Sequence, residues 1–146
     1  MKKVSRKKWI VACLVLVLAL GWLSLARADD PGPREPAKTD KCPVCGMFVY
    51  KYPDWLGQII FNDGSVDYFD GAKDLFKYYF NLEKYRPEKK RDDIAAIYVT
   101  EYYDMKSIRA ADAFFVLGSE VYGPMGRELI PLARESDART FMDDHK

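Results

Sequence analysis

Cys42 and Cys45 are the residues of this chain whose types and spacing most plainly offer chemistry. They stand in Lys41-Cys42-Pro43-Val44-Cys45-Gly46-Met47, a C-x-x-C pair followed two residues later by a thioether. Two thiols and a thioether that close together form a soft donor set. Such a set favours Cu(I), with zinc and iron–sulfur centres as competitors. A zinc or rubredoxin-type knuckle normally comes in pairs that supply four ligands. Here no second C-x-x-C follows, and the single histidine, His145, lies one residue from the C-terminus. A four-thiolate site then requires two copies of the chain. A thioredoxin-like dithiol wants its first cysteine at a helix N-terminus, where the dipole lowers the thiol pKa. The sequel Met47-Phe48-Val49-Tyr50-Lys51-Tyr52 reads as a strand instead.

A second methionine, Met125, sits in Gly123-Pro124-Met125-Gly126, a sequence that demands a tight turn and presents its side chain. Taken by itself, Met125 is better explained by ordinary turn packing. Asp63, Asp67 and Asp70 lack the spacing of a calcium loop and read as turn and cap residues. The aromatic groups Tyr78, Tyr79, Phe80, Tyr102 and Tyr103 read as core or rim. Nothing in the chain forms a Ser–His–Asp set, a phosphate loop or a paired-carboxylate site, so we expect no catalysis.

The elements that must position the sulfur motif follow from patterning. Among 146 residues, 49% are hydrophobic and 14% aromatic, enough for one packed domain behind a leader. Met1 to Ala28 holds six basic residues and no acid, with an uncharged run from Trp9 to Ala26 and an Ala26-Arg27-Ala28 ending. This is the layout of a secretory signal peptide. Residues 9–26 are also long enough to be retained as a single membrane anchor. Either way the remainder is exported, to the periplasm or the outer face of the cytoplasmic membrane. Cys13 lies too early in the apolar run for lipid attachment and reads as a small apolar residue. Setting aside the six leader cations leaves 17 of the 23 basic residues against 22 acidic ones, a net of −5. That balance, without a basic stripe, excludes nucleic acid as a partner.

Residues 29–40, rich in proline and charge, read as a linker to a domain over 41–146. Leu56 to Asn62 reads as a strand, Asn62-Asp63-Gly64-Ser65 as a hairpin turn, and Val66 to Phe69 as its return. Asp70 would cap a helix running to about Leu82. Tyr85 to Asp93 reads as a loop and Ile94 to Thr100 as a strand. After Met105, strands are expected over Ala113–Leu117 and Glu128–Ala133, the latter at an edge because of Pro131. Ser136 would cap a helix over Asp137–Asp144. The fold class is therefore α+β, with two consecutive strand–strand–helix units, the first closed by a further strand.

Taken together, Cys42-Pro-Val-Cys45-Gly-Met47, Trp55-Leu-Gly-Gln58-Ile, Asp63-Gly64, Phe69-Asp70, Asp112-Ala113-Phe-Phe-Val116-Leu-Gly118-Ser119 and Gly123-Pro-Met125-Gly126-Arg-Glu128 resemble the NosL family, the nitrous-oxide reductase accessory proteins. The resemblance runs from about Asp40 to the end. It implies an exported copper-binding protein of two ββαβ-type units, the second here without its last strand. It implies delivery of Cu(I) for the copper–sulfide centre of nitrous-oxide reductase, with a membrane ABC-type complex as a further partner. By position it brings Cys45 and Met47 forward as copper ligands, then Met125, then Cys42. The alternative from a different class is a periplasmic thiol–disulfide oxidoreductase using Cys42 and Cys45. The leader has no lipid-attachment box at its end, where the family usually has one.

Overall fold

The computed structural model describes residues 30–145; the leader readings fall on residues outside that range. Among the described residues no helix is long and apolar enough to cross a membrane. The first unit is a four-stranded antiparallel sheet of β1 (Gly57–Phe61), β2 (Val66–Phe69), β3 (Ile94–Thr100) and β4 (Ser107–Arg109), in the order β2-β1-β3-β4. The sequence Gly-Gln-Ile-Ile-Phe of β1 is apolar almost throughout because this strand is central and covered on both faces. Alternation of side chains sends Ile59 and Phe61 to one face and Ile60 to the other.

Helix α1 (Ala72–Phe80) lies on the first face and buries Leu75 and Tyr78 against Ile59, Phe61, Phe69 and Val99. It stops at Asn81, and a single turn, α2 (Leu82–Tyr85), follows. Residues 30–40 carry no regular element and run along the sheet. Arg34 donates its backbone N–H to the buried Gln58 side chain at 2.8 Å and its guanidinium to the Gly64 carbonyl at 2.7 Å. Arg109 pairs with Asp30 at 2.9 Å.

The second unit pairs β5 (Phe114–Val116) with β8 (Ile130–Leu132), and between them a two-residue-per-strand hairpin, β6 (Tyr122–Gly123) and β7 (Gly126–Arg127), projects. Helix α3 (Glu135–Asp144) closes a smaller core of Val116, Ile130, Leu132, Ala138 and Phe141. No strand follows α3 among the described residues. Pro131 sits in β8, which pairs with β5 alone, as a residue without an N–H requires of an edge.

Four local expectations need correction. Met47–Tyr52 is not a strand: one bridge, Lys41 to Phe48, leads straight into a 3-10 turn at Val49–Lys51. The chain has already reversed through Gly46, whose φ is +79°, so only one residue pair stays in register. Asp70 does not cap α1; Gly71 holds the N-cap position and the Asp70 carboxylate turns toward Cys45. Ser136 lies inside the first turn of α3, whose N-cap is Arg134, and its hydroxyl bonds Asp137 at 3.3 Å. Asp67 is no turn residue. It sits in β2 and takes an ion pair from Arg86 at 2.5 Å and the hydroxyl of Tyr78.

Candidate metal centre

Residues 42–47 fold as a closed loop. The Cys42 N–H donates to the Met47 carbonyl at 2.9 Å, and the Gly46 N–H donates to the Cys42 carbonyl at 2.8 Å. Gly46 allows the reversal because its φ of +79° is a region that L side chains rarely adopt. The loop tucks Cys42, 1% exposed, into the core beside Val49 and the α1 residues, and leaves Cys45 half-buried above it. Both stand as free thiols. Backbone N–H groups of Cys45 and Val44 face the Cys42 sulfur, and that of Met47 faces the Cys45 sulfur.

The strand-to-helix junction brings two carboxylates to the same place. Cys45 Sγ lies 3.1 Å from Asp70 Oδ1, and Cys42 Sγ lies 3.7 Å from Asp74 Oδ2. One donor atom from each of the four residues falls within 4.8 Å of the others. Asp70 and Asp74 are 1% and 6% exposed. Asp70 sits one residue before the N-cap of α1 and Asp74 in its first turn, so both share the helix end that favours negative charge. Asp70 Oδ2 is buried with no hydrogen-bond partner among the described residues. A buried carboxylate oxygen left without a partner is costly, by about 1–3 kcal/mol or more.

Burial governs the thiols. It pushes Cys42 up from 9.0 to about 11, against the opposing pull of the Cys45 and Val44 N–H groups. It raises Cys45 further, with the Asp70 carboxylate also holding that proton in place. Both therefore rest as neutral thiols at neutral pH, in contrast to the low-pKa thiolates of reactive cysteines. The motif is also followed by a three-residue 3-10 turn, so neither cysteine opens an α-helix of its own.

Of the four residues that the sequence points to, Cys42 and Cys45 come together in the cluster. Met47 is half-buried and follows directly in the loop. Met125 is 42% exposed at the tip of the β6–β7 hairpin. That hairpin is fastened to the start of α1. The Lys73 ammonium donates to the Met125 carbonyl at 2.6 Å and to the Arg127 carbonyl at 2.9 Å. The Lys73 N–H donates to Glu128 Oε1 at 2.6 Å. The Glu128 side chain fills the space at Gly71 and Gly123: a Cβ at Gly71 would lie 2.8 Å from Glu128 Cδ. The Met125 turn is thus anchored to the residues that immediately follow Asp70. Asp74 carries no sequence signal of its own, being one acid in an amphipathic helix. Asp70 stands next to Phe69 in a stretch shared with the family pattern, which is the one clue to it.

An α+β domain that gathers two free thiols and two carboxylates into one cluster has the donor set of a metal-binding protein. A family model described as NosL matches residues 33–146, and the chain belongs to the NosL family. It is 29% identical over 115 residues to the copper-binding lipoprotein NosL of Stutzerimonas stutzeri. That alignment covers 73% of this chain, which spans 57% of the relative's length. The fold is similar to the crystal structure of the copper chaperone NosL from Shewanella denitrificans, with a TM-score of 0.65 and 24% identity, covering 78% of this chain and 87% of that one.

Proposed function

We propose that this chain is an exported copper carrier that binds one Cu(I) and passes it on for assembly of the copper–sulfide centre of nitrous-oxide reductase. The observation that carries this is the pair of neutral thiols side by side, Cys42 buried and Cys45 half-exposed. A soft monovalent ion displaces their protons and is held by sulfur. Cys45 is the ligand through which a partner reaches the ion, with Met47 and Met125 completing the sulfur set around it. The similarity to a copper-binding lipoprotein and to a copper chaperone supports the reading. Delivery to the reductase, help from a membrane ABC-type complex and a periplasmic site of action belong to the same proposal. The raised thiol pKa values weigh against the rival thiol–disulfide exchange, which needs a thiolate nucleophile.

Titration of the reduced protein with Cu(I) against a chromophoric Cu(I) chelator tests this. One Cu(I) per chain is expected. Cys45→Ala should weaken binding by more than the roughly 10–100-fold loss typical of an outer-shell change. Copper affinity unchanged in Cys45→Ala contradicts the proposal. Trapping a stable mixed disulfide with a partner in Cys45→Ser would favour the exchange reading instead.

A further inference from the structure

We propose that the chain carries a binding site outside the thiol–carboxylate cluster: an aromatic cage for a methylated ammonium ion, formed by Asp54, Trp55, Tyr102, Tyr103 and Met105. These residues line a cavity of about 430 Å³, and none of them belongs to the cluster. Small-ligand sites usually measure roughly 300–1,000 Å³. Two short segments supply the walls. Pro53–Trp55 is a 3-10 turn just before β1, and residues 101–106 form the loop that joins β3 to β4. The Thr100 N–H donates to the Leu56 carbonyl at 3.0 Å, so the two segments leave the sheet side by side. The loop is closed on itself: the Glu101 N–H donates to the Lys106 carbonyl at 2.8 Å, and the Met105 N–H to the Glu101 carbonyl at 3.0 Å. Trp55 and Tyr102 stand 6.2 Å apart between ring centroids at 56°, and Tyr102 and Tyr103 5.4 Å apart at 71°. Rings inclined this steeply bound the cavity on more than one side. Met105 takes a φ of +53°, which a residue with a side chain seldom adopts. Its half-exposed thioether offers methyl groups a soft, polarisable contact.

The charge around the cavity suits a cation. Asp54 is an acid in a lining that holds no base, and it has no ion pair among the described residues. Lys106 and Arg134, cations on the adjoining chain, are each beside an acid: Lys106 lies 3.8 Å from Asp104, and Arg134 lies 2.7 Å from Asp137. Glu101, one residue before Tyr102, is 3% exposed. Its Oε2 accepts the Asp104 N–H at 2.5 Å, and its Oε1 has no hydrogen-bond partner among the described residues. Partial burial raises the Tyr103 hydroxyl, and the Asp144, Asp137 and Glu101 carboxylates raise it further. Aromatic rings in a negative field attract a cation through their quadrupoles as well as through charge. A bare ammonium is strongly hydrated and gives up its water at a cost. A methylated ammonium is weakly hydrated and covers its charge with groups that pack on rings, so the cage selects it. Free trimethylammonium compounds and choline lipid headgroups share this group.

The full-length protein is titrated with tetramethylammonium and with choline at constant ionic strength, followed by the Trp55 indole N–H signal in NMR spectra. The neutral alcohol in which carbon replaces the choline nitrogen serves as the control of equal shape. One cation per chain is expected, with a dissociation constant of about 0.1–10 mM. The neutral alcohol should bind about tenfold more weakly or worse. Asp54→Asn and Tyr103→Leu, both changes at exposed side chains, should each weaken choline binding about two- to fivefold. Absence of saturable binding, equal affinity for the neutral alcohol, or parental affinity in both variants would overturn the proposal. If Tyr103→Leu fails to fold, Asp54→Asn and the neutral alcohol decide. Phosphocholine separates the two sources of the ligand: binding equal to that of choline points to a lipid headgroup, weaker binding points to a free cation, and either result supports the cage. Choline binding should be unchanged in Cys45→Ala, so failure of the copper proposal leaves this one standing.

Discussion

Both cysteines of the 42–47 loop hold their protons at neutral pH because burial disfavours their thiolates. Burial raises Cys42 to about 11, two units above its ordinary 9.0, which lowers the thiolate fraction at pH 8 about a hundredfold. Alkylation of the metal-free reduced protein by iodoacetamide should therefore be slow at Cys42, by about that factor relative to the unfolded chain. Comparable rates would contradict the burial. The same shift gives a pH dependence of folding. The folded state holds the Cys42 proton more tightly than the unfolded state. Its contribution is thus fully present below pH 9 and is lost as pH rises through about 11. Urea midpoints of the reduced protein should fall between pH 9 and 11, and less so in Cys42→Ala measured against its own neutral-pH value. The sulfur motif was legible from residue types and spacing. The place of Asp70 and Asp74 beside the thiols was not, because it depends on the β2–α1 junction, which turns them toward a loop 25 to 32 positions earlier.

At the scale of elements, β1, β2 and β3 were readable to within about a residue or two, because each has an apolar run bounded by a turn signal. The segment after the cysteines was not. Its alternating aromatic residues suit a strand, yet Gly46 turns the chain and only Lys41 and Phe48 pair. Helix starts were misplaced for a related reason: Asp70 and Ser136 are good caps by type, but their side chains bond elsewhere. The β6–β7 hairpin was visible as a turn; its attachment to α1 was not, since Lys73 and Glu128 lie 55 residues apart. That attachment is testable. Gly71→Ala places a Cβ against the Glu128 carboxylate, which is buried and bonded to the Lys73 and Leu129 N–H groups. A loss of about 1–3 kcal/mol in urea unfolding is expected. The Gly118→Ala control, with open space but a φ of +84°, should cost less, about 1 kcal/mol. Equal stability of Gly71→Ala and the parent would show that Glu128 does not fill the gap.

Over the whole molecule, two cores of unequal size meet through Trp55, Tyr102 and the hairpin on Lys73. The Tyr102 ring stands edge-on to Phe141 at 5.1 Å between centroids, and its N–H donates to the Pro131 carbonyl at 3.0 Å. Phe141, on the inner face of α3, is fully buried. Phe141→Ala should cost about 3–5 kcal/mol and loosen the second unit first, read as faster amide exchange in β5 and β8 than in β1. The candidate thiol–carboxylate cluster lies within the first unit but next to the anchored hairpin, so on the copper proposal an ion bound there would tie loop, sheet and helix together. An ion present at a hundred times its dissociation constant adds about 2.7 kcal/mol, or about 10 °C in Tm for a domain of this size. Cys45→Ala should lose most of that gain while keeping the metal-free Tm nearly unchanged. The two-unit order was readable because each half repeats strand, strand, helix; the way they lock was not, because it rests on single long-range contacts.

On the copper-carrier proposal, the thiol pair is a sulfur site for Cu(I). X-ray absorption at the copper edge of the reduced, singly loaded protein tests it most directly. A monovalent edge and a first shell made of sulfur alone are expected, with fewer sulfurs in Cys45→Ala. A divalent edge, or a first shell dominated by nitrogen and oxygen that is unchanged by Cys45→Ala, would contradict it.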